Sequence, residues 1–213
     1  MSASSYRRQK GSSIVEVITV AAIMMTLSGM AIMSMTRPSQ ASSANAASDV
    51  VVDALRQARQ YSISKRRNVL VSFTGTNTVT LAVQPLPTDP PPPTFPTVQL
   101  NNGVPGGSQF YLMPGLPNTP MGALGFGNST AIDLVAANGG VVGNAVMFTT
   151  SGSLVGAGGA APANYYAVGN NDPINATIFI GVPGLPTSAR AITVVGATGR
   201  VRSYYWTGNS WQQ

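Results

Sequence analysis

The sequence predicts an α+β protein: a long N-terminal helix, with a membrane half and a soluble half, followed by a C-terminal antiparallel β-sheet domain. Three observations carry this. Ile14 to Met35 is a run of 22 residues with one ionisable group, Glu16. Val51, Leu55, Ala58 and Ser62 then recur at helical spacing. Beyond Phe73 the chain reads only as short β-branched or aromatic runs separated by turn residues.

As a helix, the apolar run spans about 33 Å, enough for a bilayer core of roughly 30 Å. Arg7, Arg8 and Lys10 precede it, so the positive-inside bias predicts a cytoplasmic N-terminus and a single membrane pass. Glu16 is out of place there. A carboxylate one turn into a span costs about 2.5–3.5 kcal/mol even on mild insertion scales, which calls for a specific partner. Two plainer readings compete: a secretory signal peptide cut after Ala44-Asn45-Ala46, and a simple anchor with an incidental Glu16. The first fits poorly, because such apolar regions run to about 7–15 residues and lack an acid near their start.

Arg37-Pro38 closes the apolar run, and the proline predicts a kink or local melt. The helix then resumes to about Asn68, with Asp53, Arg56, Gln57 and Arg59 mostly off the apolar stripe. Asp53 and Arg56 are spaced to pair at i,i+3. Lys65-Arg66-Arg67 ends the helix, three cations at the negative end of its dipole. Val69–Phe73 and Thr78–Val83 read as a hairpin. Residues 84–127 read as a Pro/Gly-rich insertion with at most short strands near Val98–Leu100 and Phe110–Leu112; Pro90 to Pro93 favour an extended surface loop. Strand runs follow at Ala131–Val135, Ala145–Thr149, Ala176–Ile180, Ala191–Val195 and Arg200–Tyr205.

These residues carry a family resemblance. Lys10-Gly11 followed by Ser12-Ser13-Ile14-Val15-Glu16-Val17 resembles the signal of type IV pilins and type II secretion pseudopilins. The helix end Ala54-Leu55-Arg56-Gln57-Ala58-Arg59 with its following strand, Phe148 to Gly152, and the closing hairpin from Arg190 to Arg202 are similar to the GspH/FimT branch of that family. Ser12 stands where the family usually has phenylalanine. The resemblance implies a leader, residues 1–11, cut by a prepilin peptidase between Gly11 and Ser12, with N-methylation of Ser12. It implies an assembly helix at 12–36, a soluble helix half at 37–68, and a globular domain at 69–213. Its partners would be other pilins or pseudopilins and an inner-membrane assembly platform. The place implied is the bacterial inner membrane, then a periplasmic or extracellular filament. Glu16 would guide assembly by pairing with the α-ammonium of a neighbour's Ser12, where an apolar surrounding makes such a pair directional.

Two other roles stay open on the same residues. A major filament subunit shares every feature above. A DNA-binding subunit would use Lys65, Arg66, Arg67, Arg200 and Arg202. On a strand, Arg200, Arg202, Tyr204 and Trp206 face one way, and cations interleaved with aromatics suit a phosphate backbone with stacked bases. The formal charge of +6 falls to +3 once Arg7, Arg8 and Lys10 leave with the leader, a weak field for that task.

An enzyme is excluded on inventory. The chain has no histidine and no cysteine, so the commonest general bases, thiol nucleophiles and metal ligands are missing. Asp49, Asp53, Asp89, Asp133 and Asp172 are scattered, without spacing for paired carboxylates or a calcium loop. No cofactor or metal is expected. Asn128-Ser129-Thr130 and Asn175-Ala176-Thr177 match glycosylation sequons and are read as coincidence.

Overall fold

The structure, a computed structural model, describes residues 13–85, 95–101, 106–135, 143–157 and 172–213; for 29–39 and 123 it describes the backbone alone. Gly11 and Ser12, the basic residues Arg7, Arg8 and Lys10, Asp89 and the run Pro90–Pro93 lie outside the described residues. An N-terminal helix followed by antiparallel sheets makes this an α+β fold, as the sequence predicts. The chain divides into two compact units, Met1–Ser39 and Gln40–Gln213.

Helix α1 is assigned from Ile14 to Lys65 and takes in Pro38, so the expected local melt does not end it. In the first unit its described side chains, 13–28, are all exposed. Among the described residues no helix is long and apolar enough to cross a membrane. The expected span reaches Met35, and its side chains beyond Ser28 are not among those described.

In the second unit α1 packs through the stripe read from its spacing: Val51, Leu55, Ala58 and Ser62 are fully buried, joined by Ala44 and Ala47. Asp53 and Arg56 stay exposed, and no ion pair joins them. The helix ends on Arg66, whose φ of 50 is left-handed, while the Arg67 amide donates back to the Ser62 carbonyl at 3.2 Å. That is a Schellman-type stop with arginine where glycine is usual. A side chain in this conformation costs about 1 kcal/mol. Arg66→Gly is therefore expected to raise stability by about 0.5–1 kcal/mol, read from the urea midpoint. A lower midpoint would mean that the arginine side chain contributes more than its backbone costs.

Among the described residues eleven strands follow. β1 (Val69–Thr74) and β2 (Thr78–Val83) form the expected hairpin, turning at Gly75. β3 (Val98–Gln99) and β4 (Gln109–Phe110) are short, as expected of that stretch. Next come β5 (Ile132–Val135), β6 (Ala145–Phe148), β7 (Leu154–Gly156) and β8 (Asn175–Val182). β9 (Leu185–Val195), β10 (Arg200–Trp206) and β11 (Trp211–Gln212) complete the set. One antiparallel sheet has the order β3-β2-β1-β6-β7; the other runs β11-β10-β9-β8-β4, with β5 also paired to β8.

Side-chain alternation divides the core. Ile178, Ile180, Ile192 and Val194 face α1 and join Val51, Leu55, Val69, Val71, Phe148 and Leu154 in one cluster. Their neighbours Phe179, Ala189 and Ala191 point to the other face of the second sheet. There they meet Met113, Met121, Phe126, Tyr204, Trp206 and Trp211 in a second cluster. The stretch read as an insertion thus roofs the second sheet. Leu154, Ile174 and Gly196 tie the two sheets together: the Leu154 amide donates to the Gly196 carbonyl at 2.8 Å, and the Ile174 amide to the Leu154 carbonyl at 2.9 Å.

Candidate functional site

Glu16 sits in the first turn of α1, on a segment whose large side chains are uncovered: Ile14 is 78% exposed, Ile18 63% and Met25 76%. Three hydroxyls of this segment are satisfied by the helix itself. Thr19 donates to the Val15 carbonyl at 2.6 Å, Thr26 to Ile23 at 2.8 Å, and Ser28 to Met24 at 2.7 Å. Such back-bonding hides a hydroxyl from an apolar surrounding. Among the described residues the Glu16 carboxylate has no hydrogen-bond or ion-pair partner, and it is the one ionisable group of the segment 13–28. Gly11 and Ser12, its expected companions, lie outside the described residues.

The five basic residues read as a DNA surface lie in different surroundings. Lys65 and Arg66 are exposed at the end of α1, and Arg67 is half-buried. Arg202 is half-buried, and its Nη1 points at the Met121 sulfur, 3.8 Å away, in the second cluster. Arg200 is among the residues that line a cavity with Arg56 and Arg59 of α1. The register keeps the expected face, since Arg200, Arg202 and Tyr204 pair with Val195, Thr193 and Ala191 of β9 at every second position. Arg200 opens β10 beside the turn at Gly199, φ +62, and the same alternation sends Tyr204 and Trp206 inward. Tyr204 and Trp206 are 5% and 8% exposed and cannot stack on bases. Tyr205 alone of the three is exposed, with its hydroxyl donating to Gln212 at 3.0 Å.

Two features escaped the sequence. Arg59 and Arg56 join Arg200 across a cavity of about 690 Å³, residues some 140 positions apart that no local pattern links. Arg190, in β9, is buried and holds α1 to the second sheet. Its Nε donates to Asn45 Oδ1 at 2.6 Å and its Nη1 to the Thr187 and Ala189 carbonyls at 3.0 and 2.7 Å. Desolvation lowers its pKa from the usual value, and Tyr205 opposes part of that shift.

The sequon asparagines are structural. Asn175 donates to the Leu124 carbonyl at 3.2 Å and accepts from the Gly196 amide at 3.0 Å. Asn128 donates to Asn118.

No family profile matches the sequence, and no curated protein matches it. Two crystal structures of the type IV minor pilin FimU from Pseudomonas aeruginosa (strain PAO1), in space groups P21 and P65, are similar to this chain. Each has 13% identity and a TM-score of 0.38 and covers 79% of this chain, with 91% and 96% of the respective FimU chains covered.

Proposed function

We propose that this chain is a filament subunit of the pilin kind, a pseudopilin or minor pilin of GspH/FimT type, whose N-terminal helix is both membrane anchor and assembly element. The observation that carries the reading is the segment around Glu16. It is largely apolar, exposed along residues 13–28, self-satisfied at Thr19, Thr26 and Ser28, and marked by one unpartnered carboxylate. Apolar surface of that extent is stable only when lipid or other helices cover it.

The mechanism is mechanical. A prepilin peptidase cuts after Gly11 and methylates the new N-terminus at Ser12. Ser12 then carries an ammonium four residues before Glu16. In an apolar phase the ammonium of one subunit and the Glu16 carboxylate of another attract strongly, and an unpaired partner is penalised. The pairing sets the axial register as subunits leave the inner membrane through the assembly platform. The second unit is then displayed in the periplasm or outside the cell. The filament is a type II secretion pseudopilus or a type IV pilus.

The test is the N-terminal sequence and intact mass of the protein from its native membrane, followed by Glu16→Leu. A start at Ser12, one methyl heavier, is expected. Glu16→Leu should keep the chain in the membrane and cut its recovery in cross-linked assemblies about tenfold or more, as losing half of a buried pair does. A start at Met1 or Ala47, or a Glu16→Leu chain that assembles like the wild type, would sink the reading.

A further inference from the structure

The cavity beside Arg56, Arg59 and Arg200 lies wholly within the second unit. One wall is a single face of α1: Arg56, Arg59, Gln60, Ile63 and Ser64 follow the i, i+3, i+4, i+7, i+8 spacing. The other is the turn from β9 into β10, Thr198 to Val201. Arg56, Arg59 and Arg200 are among the residues that line the space, and no carboxylate is among the described residues that line it. Like charges three apart on a helix repel unless an anion sits between.

The site is built. Arg59 Nε donates to the Thr198 carbonyl at 3.0 Å, which fixes the plane of the guanidinium and leaves its two terminal nitrogens without a partner among the described residues. That contact needs glycine at 199. An added Cβ would overlap the Gly152 carbonyl oxygen and come within 2.8 Å of Arg59 Cδ and Nε, at a φ of +62 that side chains rarely adopt. Arg56 and the Arg200 side chain make no described bond to the fold.

Size and lining then narrow the occupant. About 690 Å³ is within the range of small-molecule sites, roughly 300–1,000 Å³, and far exceeds a bare ion. Ile63 is 42% exposed and Val201 half-buried, so the cavity offers an apolar patch beside its cations. Arginine forks match phosphate oxygens in paired hydrogen bonds, and a dianion balances three cations better than a carboxylate.

We propose that this cavity binds a small phosphoester, its phosphate held by Arg56, Arg59 and Arg200 and its organic body resting on Ile63 and Val201. The phosphoester is either a soluble metabolite or the headgroup of a phospholipid.

The experiment is calorimetric titration of the full-length chain in nonionic detergent with four probes: inorganic phosphate, glycerol 3-phosphate, short-chain phosphatidylglycerol, and a short DNA duplex. Saturable binding of either ester, tighter than inorganic phosphate, is expected. Arg56→Gln and Arg200→Gln should each weaken it about tenfold or more while leaving the unfolding midpoint unchanged. Binding of glycerol 3-phosphate alone identifies a soluble ligand; binding of the lipid, with or without it, identifies a headgroup. No saturable binding of either ester would overturn the proposal, as would ester binding that survives both substitutions. Binding confined to inorganic phosphate, or to the duplex with a steep salt slope, would overturn it too.

Discussion

Phe148→Ala is expected to lower the unfolding free energy by about 3–5 kcal/mol, the usual range for deleting a buried aromatic ring. Phe148 is fully buried in β6, opposite Val69 of β1 and Leu154 of β7, in the cluster where α1 meets both sheets. No other fully buried side chain in the described residues is larger. The neighbours that would have to close the gap are strand residues fixed by ladder hydrogen bonds, so relaxation is limited and the cavity term stays large. Trp206 and Trp211, only 8% exposed and 5.5 Å apart in the second cluster, report the transition by fluorescence. A loss below about 1.5 kcal/mol would show that the two sheets can slide together over the missing ring.

Gly196→Ala is expected to cost about 3 kcal/mol through an opposite cause, overpacking. An added Cβ would overlap the Ile174 carbonyl oxygen and lie 2.6 Å from its carbon and 2.7 Å from its nitrogen. These are backbone atoms, which have no rotamer by which to move aside. Gly196 also accepts from the Leu154 amide and donates to Asn175, so a shift breaks the bonds between β7 and the second sheet. Hydrogen exchange checks this locally. The Leu154 and Ile174 amides should lose protection first, and unchanged protection at both, with an unchanged midpoint, would refute the prediction.

How much of this was legible varies with the length scale of the signal. The strands at 69–74, 78–83, 145–148, 175–182 and 200–206 are runs of β-branched and aromatic residues bounded by turn residues, and local pattern suffices for them. The stripe Val51, Leu55, Ala58 and Ser62 was legible for the same reason. Leu154–Gly156 and Trp211–Gln212 were not; three and two residues carry no period, and they are strands only because β6 and β10 lie beside them. Glu16 stood out because a charge in an apolar run is anomalous in one dimension. The Arg56, Arg59 and Arg200 cavity has no such trace, since its two walls meet only after the β9–β10 turn folds against the helix.

The roof over the second sheet constrains how the chain can diverge. Phe110, Met113, Met121 and Phe126 descend into the core at intervals along residues 106–126, and each fills volume that the sheet cannot supply. A segment with inward anchors behaves as a row of stitches. Length is free to change between stitches and is held at them, because slipping a single anchor uncovers Phe179 and Trp211 to water.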